Sequence, residues 1–134
     1  MHKKYLTTAA VLGALAVALG AFGAHGLQRV TQDEKILQSY QTGVQYQLYH
    51  ALAILALSAL AISSPGKWIK WAYTSFCIGI IFFSGSLYTI TYIKVHGDGN
   101  TAWIGPVTPL GGLMLIIGWI FLLVAAMSYK KSND

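Results

Sequence analysis

Apolar residues fall in four long runs along the chain, separated by short segments that hold most of the charged residues. The runs cover about residues 5–24, 44–62, 68–93 and 108–128. A helix needs roughly 20 apolar residues to cross the hydrocarbon core, because about 30 Å is covered at about 1.5 Å per residue. The pattern predicts four membrane-spanning helices that form a single domain, residues 1–134.

The first run also has features of a secretory signal peptide, with Lys3 and Lys4 before an apolar stretch rich in small residues. Its apolar stretch is longer than the usual core of about 7–15 residues, and three further spans follow it. We interpret it as a retained span, and cleavage is the alternative interpretation.

Composition supports the same class. The chain has 134 residues, of which 55% are hydrophobic and 10% are charged, and its mean hydropathy is +0.56. Soluble domains carry roughly 25% charged residues. These values exclude a disordered chain, a disulfide scaffold and a soluble multidomain enzyme. The net charge of +5 is best interpreted through the positions of the basic residues relative to the spans, which indicate orientation in a membrane. We do not expect a nucleic-acid partner.

The basic residues lie unequally on the two sides of the predicted spans. Six lie on the side of the chain termini, namely Lys3, Lys4, Lys67, Lys70, Lys130 and Lys131. Three lie on the opposite side, Arg29, Lys35 and Lys94, with Asp33, Glu34 and Asp98 beside them. The positive-inside rule therefore predicts that both termini are cytoplasmic. The predicted fold is an all-α integral membrane protein, a four-transmembrane-helix bundle.

The segment between spans one and two is the only long polar stretch, about twenty residues from His25. Thr31 and Glu34 have the spacing of a capping box at a helix start. After them, apolar residues recur at helical spacing at Leu37, Tyr40, Val44 and Leu48, while Gln38, Gln41 and Gln45 fall on another face. We expect a short amphipathic helix at the outer surface that turns into span two near Gly43. A plain solvated linker helix is the alternative.

Small residues predict where the helices pack. Close backbone approach is one of the few ways in which helices associate in lipid. The predicted packing residues are Ala9, Gly13, Ala16, Gly20 and Gly23 in span one and Gly111, Gly118 and Ala125 in span four. Such contacts suit one chain, a homo-oligomer or a membrane protein partner, each within the lipid bilayer. Thr108 and Pro109 are typical of the N-cap and first turn of a helix, which predicts the start of span four.

Polar and ionisable side chains are costly inside a membrane, so they are default candidates for function. Here they gather towards the ends of the spans opposite the termini. The candidate ligand-binding residues are His25, Tyr46, Tyr49, His50, Ser84, Ser86, Tyr88 and Thr108. If span two starts near residues 44–46, His50 lies roughly 6–9 Å inside the outer boundary. The sequence predicts a small polar pocket open to the outside, with His50 at its floor and His25 at its rim.

Four interpretations of this polar cluster remain open. It can bind a lipid, a small hydrophobic ligand or a partner helix, or its hydroxyls can line the pore of a channel or transporter subunit. His25 and His50 can instead bind a metal or haem. The fourth interpretation is structural, because buried polar side chains often satisfy each other and tie helices together.

Several mechanisms lack the residues they require. A thiol–disulfide enzyme needs paired cysteines, and Cys77 is the only cysteine. Small proton-coupled antiporters rely on a carboxylate within the membrane, and the predicted spans contain none. The sequence has no Walker A motif, nucleophile elbow, dinucleotide fingerprint or metal-ligand spacing. We expect a protein that is not an enzyme and that has no cofactor or metal.

Four motifs carry a resemblance to a known family. They are residues 20–27 (GAFGAHGL), 45–51 (QYQLYHA), 83–88 (FSGSLY) and 105–112 (GPVTPLGG). Together they resemble the YgdD-type family of small bacterial inner-membrane proteins, which is classed as a domain of unknown function and has a related mitochondrial transmembrane protein in animals. The resemblance implies a four-helix, multi-pass protein of the cytoplasmic membrane. It implies no reaction, substrate or site.

Overall fold

The computed structural model describes residues 2–63, 66–97 and 99–128, and these residues form helices joined by short connections without strands. The elements are α1 (Lys3–Phe22), a π turn (Gly23–Leu27), α2 (Gln28–Val30), α3 (Glu34–Ser63), α4 (Lys67–Val95) and α5 (Val107–Met127). The segments long and apolar enough to cross a membrane are Lys3–Val30, Glu34–Ile62, Lys67–Val95 and Val107–Met127. The prediction of four apolar helices is confirmed.

Consecutive long helices run antiparallel. The backbone N–H of His2 donates a hydrogen bond of 2.8 Å to the carbonyl of Ser58, so α1 begins beside the last turns of α3. The hydroxyl of Tyr40 donates one of 2.8 Å to the carbonyl of Leu19, so α1 ends beside the first turns of α3. We call the end of the bundle that holds His2 the terminal end, and the end that holds Tyr40 the distal end.

The core forms along the central pair of helices. Helix α3 packs on both α1 and α4, and α4 packs in turn on α5. Ile54 and Leu57 of α3 and Ala72 and Phe76 of α4 are fully buried. Large apolar side chains cover much of the outside of the bundle, which suits contact with lipid tails rather than water.

Small residues lie where α5 meets α4. A Cβ atom on Gly111 would overlap the backbone of Phe83, and one on Gly118 would lie 2.5 Å from the ring of Phe76. Ala125 is buried further along the same helix. The two helix backbones therefore approach more closely than a larger side chain would allow.

Small residues of α1 and the π turn face α3 in a similar way. A Cβ atom on Gly20 would lie 3.4 Å from Val44, and one on Gly23 would lie 2.6 Å from the ring of Tyr40. Ala9 and Ala16 are buried. Gly13 differs from these residues, because a Cβ atom there would have nothing within 4 Å.

The segment between the first two spans differs from its prediction. Helix α3 is continuous from Glu34 to Ser63, so the predicted separate surface helix is instead the first part of α3. Gly43 does not form a turn and lies within α3. Its lack of a side chain lets α4 approach, since a Cβ atom there would lie 3.0 Å from the ring of Tyr88. The carbonyl of Gly43 also accepts a hydrogen bond of 2.6 Å from Ser84.

The predicted capping box at Thr31 and Glu34 is wrong. Asp33 caps α3 instead, because its Oδ1 accepts hydrogen bonds from the backbone N–H groups of Lys35 and Ile36, at 2.9 and 3.4 Å. The hydroxyl of Thr31 accepts from the N–H of Asp33 at 3.2 Å. The helix starts two residues later than a Thr31 cap would place it, and a carboxylate at this position also suits the helix dipole.

The predicted N-cap at Thr108 is also wrong. Helix α5 begins at Val107 with Pro106 in the N-cap position, and no side chain caps it. The Thr108 hydroxyl lies 2.6 Å from the hydroxyl of Ser86 in α4. A hydroxyl that can bond across to a neighbouring helix is better used there than on its own helix end, because few other partners exist in lipid.

Candidate functional site

Buried polar side chains connect three helices in the middle of the bundle. The hydroxyl of Tyr88 in α4 donates a hydrogen bond of 2.8 Å to Oε1 of Gln47 in α3. Nε2 of Gln47 donates one of 2.9 Å to the carbonyl of Leu12 in α1. Gln47 is only 4% exposed, and a buried amide without partners would cost several kcal/mol. Gln47 was not among the predicted site residues, although its spacing of three residues from His50 was a signal for it.

Serine hydroxyls of α4 make further contacts between helices. Ser84 bonds to the backbone of α3 at Gly43. The hydroxyl of Ser86 donates a hydrogen bond of 2.8 Å to the carbonyl of Phe83 in its own helix. Because a hydroxyl has one proton to donate, the hydroxyl of Thr108 in α5 is the donor in its bond with Ser86. Both serines are buried, and their hydroxyls face neighbouring helices.

His50 is 5% exposed and both of its ring nitrogens have partners. Nδ1 lies 2.7 Å from the carbonyl of Tyr46, and a carbonyl only accepts, so Nδ1 carries the proton. Nε2 accepts a bond of 3.1 Å from the indole N–H of Trp119 in α5. This pair of contacts selects one neutral tautomer of the imidazole.

The His50–Trp119 pair lies on the wall of a groove between α3 and α5. We call this cavity of about 530 Å³ the lipid-facing groove. It is lined by Tyr46, His50, Phe83, Pro109, Gly112, Leu113, Leu115, Ile116 and Trp119. Tyr46 stacks on Phe83 with ring centroids 4.6 Å apart, while Leu113 and Ile116 are exposed. The groove therefore opens on the surface that faces lipid.

His50 lies far from both ends of α3. It follows Glu34, the first residue of α3, by sixteen residues, which is about 24 Å along a helix. Residues 34–43 at the start of α3 are mostly polar and precede the predicted start of the span, so the depth of His50 relative to the membrane stays a prediction. His50 is near the middle of its 30-residue helix.

The structure does not bring the eight predicted site residues into one pocket. Tyr46 and His50 line the lipid-facing groove, whereas Ser84, Ser86, Tyr88 and Thr108 bond to other groups of the protein. His25 is exposed in the π turn, and Tyr49 is exposed on α3. His25 therefore is not the rim of a pocket that has His50 as its floor. Among the described residues, no three His, Cys, Asp or Glu side chains come together as a group that could hold a metal ion.

A second cavity lies near the distal end, between α1 and α3. Its volume is about 250 Å³. It is lined by Gly20, Gly23, Ala24, Gln28, Leu37, Tyr40, Gln41, Val44 and Gln45. We call it the glutamine pocket. Among the described residues, its lining contains three amide side chains and no charged one.

Four long apolar helices held together by buried hydrogen bonds define a small multi-pass membrane protein. The sequence matches the family described as "Protein of unknown function (DUF423)" over residues 19–112. The chain belongs to this family. All four motifs that carried the resemblance lie within the matched range.

Curated relatives agree with the membrane class. The chain is 40% identical over 131 residues to a UPF0382 membrane protein of Haemophilus influenzae, covering 98% of this chain and 99% of the relative. It is 42% identical to the UPF0382 membrane protein YwdK of Bacillus subtilis, covering 95% of this chain and 98% of the relative. It is 37% identical to the UPF0382 membrane protein C1782.12c of Schizosaccharomyces pombe, covering 87% of this chain and 95% of the relative. No solved structure matched the chain.

Proposed function

We propose that this membrane protein is not an enzyme and that it binds the apolar chain of a lipid or other hydrophobic ligand in the lipid-facing groove. The observation that carries the proposal is the groove itself, which has apolar walls, one polar pair and an opening towards lipid. Its volume of about 530 Å³ lies within the roughly 300–1,000 Å³ of typical ligand pockets.

The hydrogen-bonded pair of His50 and Trp119 limits which chemical groups of a bound molecule can lie beside it in the groove. Nε2 of His50 accepts and the indole N–H of Trp119 donates. A ligand hydroxyl inserted between them would satisfy both groups, because a hydroxyl donates and accepts. A ligand carbonyl would leave Nε2 of His50 without a donor, at a cost of about 1–3 kcal/mol. We therefore favour a purely apolar chain or one that carries a hydroxyl at this level.

The proposed location is the cytoplasmic membrane of a bacterium, with both termini in the cytoplasm. Lys3 and Lys4 at the start of α1 and Lys67 and Lys70 at the start of α4 lie at the terminal end, and the positive-inside rule favours the cytoplasm for this end. Lys130 and Lys131, and Asp98 on the opposite side, lie outside the described residues.

Native mass spectrometry of the gently solubilised protein tests the proposed groove. The blocking variant is Ile116→Trp, which places a large ring in the opening of the groove. The matched control is Leu123→Trp, two turns further along α5. The two positions are 58% and 59% exposed, but only Ile116 lines the groove.

We expect a bound lipid or hydrophobic molecule on the wild-type protein and on Leu123→Trp, and its loss from Ile116→Trp. Retention of the molecule by Ile116→Trp would mean that it binds elsewhere. Bare protein in all three spectra, in detergent and in nanodiscs prepared from cell lipid, would contradict the proposal. The same spectra count the copies per assembly and so test the expected homo-oligomer.

A further inference from the structure

We propose that the glutamine pocket is a second binding site, for an uncharged group that carries several hydroxyls, such as a sugar or glycerol unit. The pocket lies between α1 and the first turns of α3, away from the lipid-facing groove, and shares no residue with it. The inference is therefore independent of the function proposed for the groove.

The pocket exists because α1 and the π turn present almost no side chain towards α3. Gly20 and Gly23 lie in close contact with Val44 and Tyr40, and Ala24 adds only a methyl group beside them. The π turn widens the helix at Gly23–Leu27, and the same turn leads directly into Gln28. Single π turns of this kind are frequent at functional sites.

The polar side chains of the lining are three amides and Tyr40, whose hydroxyl already donates to the Leu19 carbonyl. Gln28 comes from α2, and Gln41 and Gln45 lie one helical turn apart on α3. Within the described residues, the hydrogen bonds of the protein use none of these three amide groups, whereas the amide of Gln47 further along α3 is fully engaged. Each amide offers two N–H donors and a carbonyl acceptor. The three amides are thus free to bind another molecule.

This lining selects the chemistry of the ligand. An ion would find no opposite charge in the lining, because none of the described residues that line the pocket is Lys, Arg, Asp or Glu. A purely apolar group would cover the amides without satisfying them, which costs free energy. Hydroxyls donate and accept as amides do, so a polyhydroxylated neutral group fits best. The volume of about 250 Å³ is slightly below that of most ligand pockets, which suits a single small unit.

The position of the pocket is that of a lipid headgroup. Charged residues that require water follow closely beyond it, at Arg29 and from Asp33 to Lys35. Hydroxyl groups could therefore enter it either from the headgroup of a glycolipid or from a free sugar in solution. Both sources share the chemistry that the amides recognise, and an experiment distinguishes them.

The test titrates the protein in phosphatidylcholine nanodiscs and follows binding by native mass spectrometry. The probes are monoglucosyl diacylglycerol, diacylglycerol with the same chains, phosphatidic acid with the same chains, and free glucose. The variants are Gln41→Met and Gln45→Met, which keep the side-chain length but remove the amide. The control is Gln38→Met, on an exposed residue of α3 outside the pocket lining. Ala24→Leu fills the pocket without changing an amide.

We expect the wild type and Gln38→Met to bind the glucosyl lipid or glucose better than diacylglycerol and phosphatidic acid. Each of Gln41→Met and Gln45→Met should weaken binding by about three- to tenfold, the effect of one hydrogen bond, and Ala24→Leu should abolish it. Competition by glucose identifies a soluble sugar, and retention of the lipid against excess glucose identifies a glycolipid. Equal binding of diacylglycerol, tighter binding of phosphatidic acid, or unchanged binding in both glutamine variants would overturn the inference.

Discussion

At the scale of single residues, the position of each polar side chain around α3 decides its role. Gln47 and His50 are three residues apart, yet Gln47 bonds to α1 and α4 while His50 bonds to α5. Gln41 and Gln45 contact neither α4 nor α5 through hydrogen bonds and line the glutamine pocket instead. One helix therefore holds a structural amide, a groove residue and free amides within a few turns.

Replacing Gln47 with Leu should destabilise the protein by about 1–3 kcal/mol, because the half-buried Tyr88 hydroxyl would lose its acceptor and the bond that joins α3 to the Leu12 carbonyl would also be lost. The free energy of unfolding in mixed micelles measures the effect. Gln38→Leu is the control, since it removes an exposed amide from the same helix. Equal stability of the two variants would show that the buried amide contributes nothing to folding.

The same residues explain why the candidate site was only partly predictable. The sequence identifies which polar residues lie within apolar helices, because such residues interrupt apolar runs. It does not give the rotation of one helix against its neighbours, and that rotation decides which side chains meet. The sequence therefore predicts a pocket lined by Ser84, Ser86 and Tyr88, whereas in the structure their hydroxyls bond to neighbouring groups of the protein.

At the scale of helices, α4 and α5 depend on the absence of side chains at their contact. Gly111 and Gly112 are neighbours in sequence but differ in surroundings. A Cβ atom on Gly111 would overlap the backbone of Phe83, whereas one on Gly112 would lie 3.6 Å from the Phe83 ring, an ordinary contact. Backbone cannot move aside as a flexible side chain can.

Gly111→Ala should therefore lower the free energy of unfolding by about 1–3 kcal/mol, the usual cost of overpacking. Gly112→Ala should be neutral or should raise stability slightly, by up to about 1 kcal/mol, because Ala favours the helix over Gly. Thermal unfolding of the two variants side by side gives the comparison. A larger loss in Gly112→Ala than in Gly111→Ala would refute this description of the helix contact.

The helix boundaries show what limits prediction at this scale. Apolar length identified the number of spans because a bilayer requires about 20 apolar residues. For residues 34–43 the sequence predicts a separate amphipathic helix that turns near Gly43, because polar residues do not count towards the apolar length of a span, whereas the structure joins them to span two in one helix. Glutamine and lysine are good helix formers, so the helix continues beyond the apolar run as far as the Asp33 cap.

At the scale of the whole molecule, the two central helices α3 and α4 are longer than α5. Helices α3 and α4 have 30 and 29 residues and α5 has 21, or about 45, 44 and 32 Å. The hydrocarbon core is about 30 Å thick. The longer helices therefore tilt or extend beyond the core, and the glutamine pocket lies beside the polar first turns of α3.

The proposed orientation predicts opposite results for reporters at the two ends. Green fluorescent protein fused to the C-terminus should fluoresce, and alkaline phosphatase fused there should be inactive, because both termini are proposed to be cytoplasmic. The same reporters inserted at Gly99, between α4 and α5 at the distal end, should give the reverse result. Active phosphatase at the C-terminus would invert the proposed topology.

The contact between Trp119 and His50 also gives the protein an optical property. The remaining tryptophans, Trp68, Trp71 and Trp103, lie near the terminal end of α4 and in the connection before α5. Trp119 alone has its indole N–H bonded to an imidazole on the wall of the groove. A molecule that separates the two rings changes the environment of one emitting side chain, so the fluorescence of the unlabelled protein reports when the groove is filled.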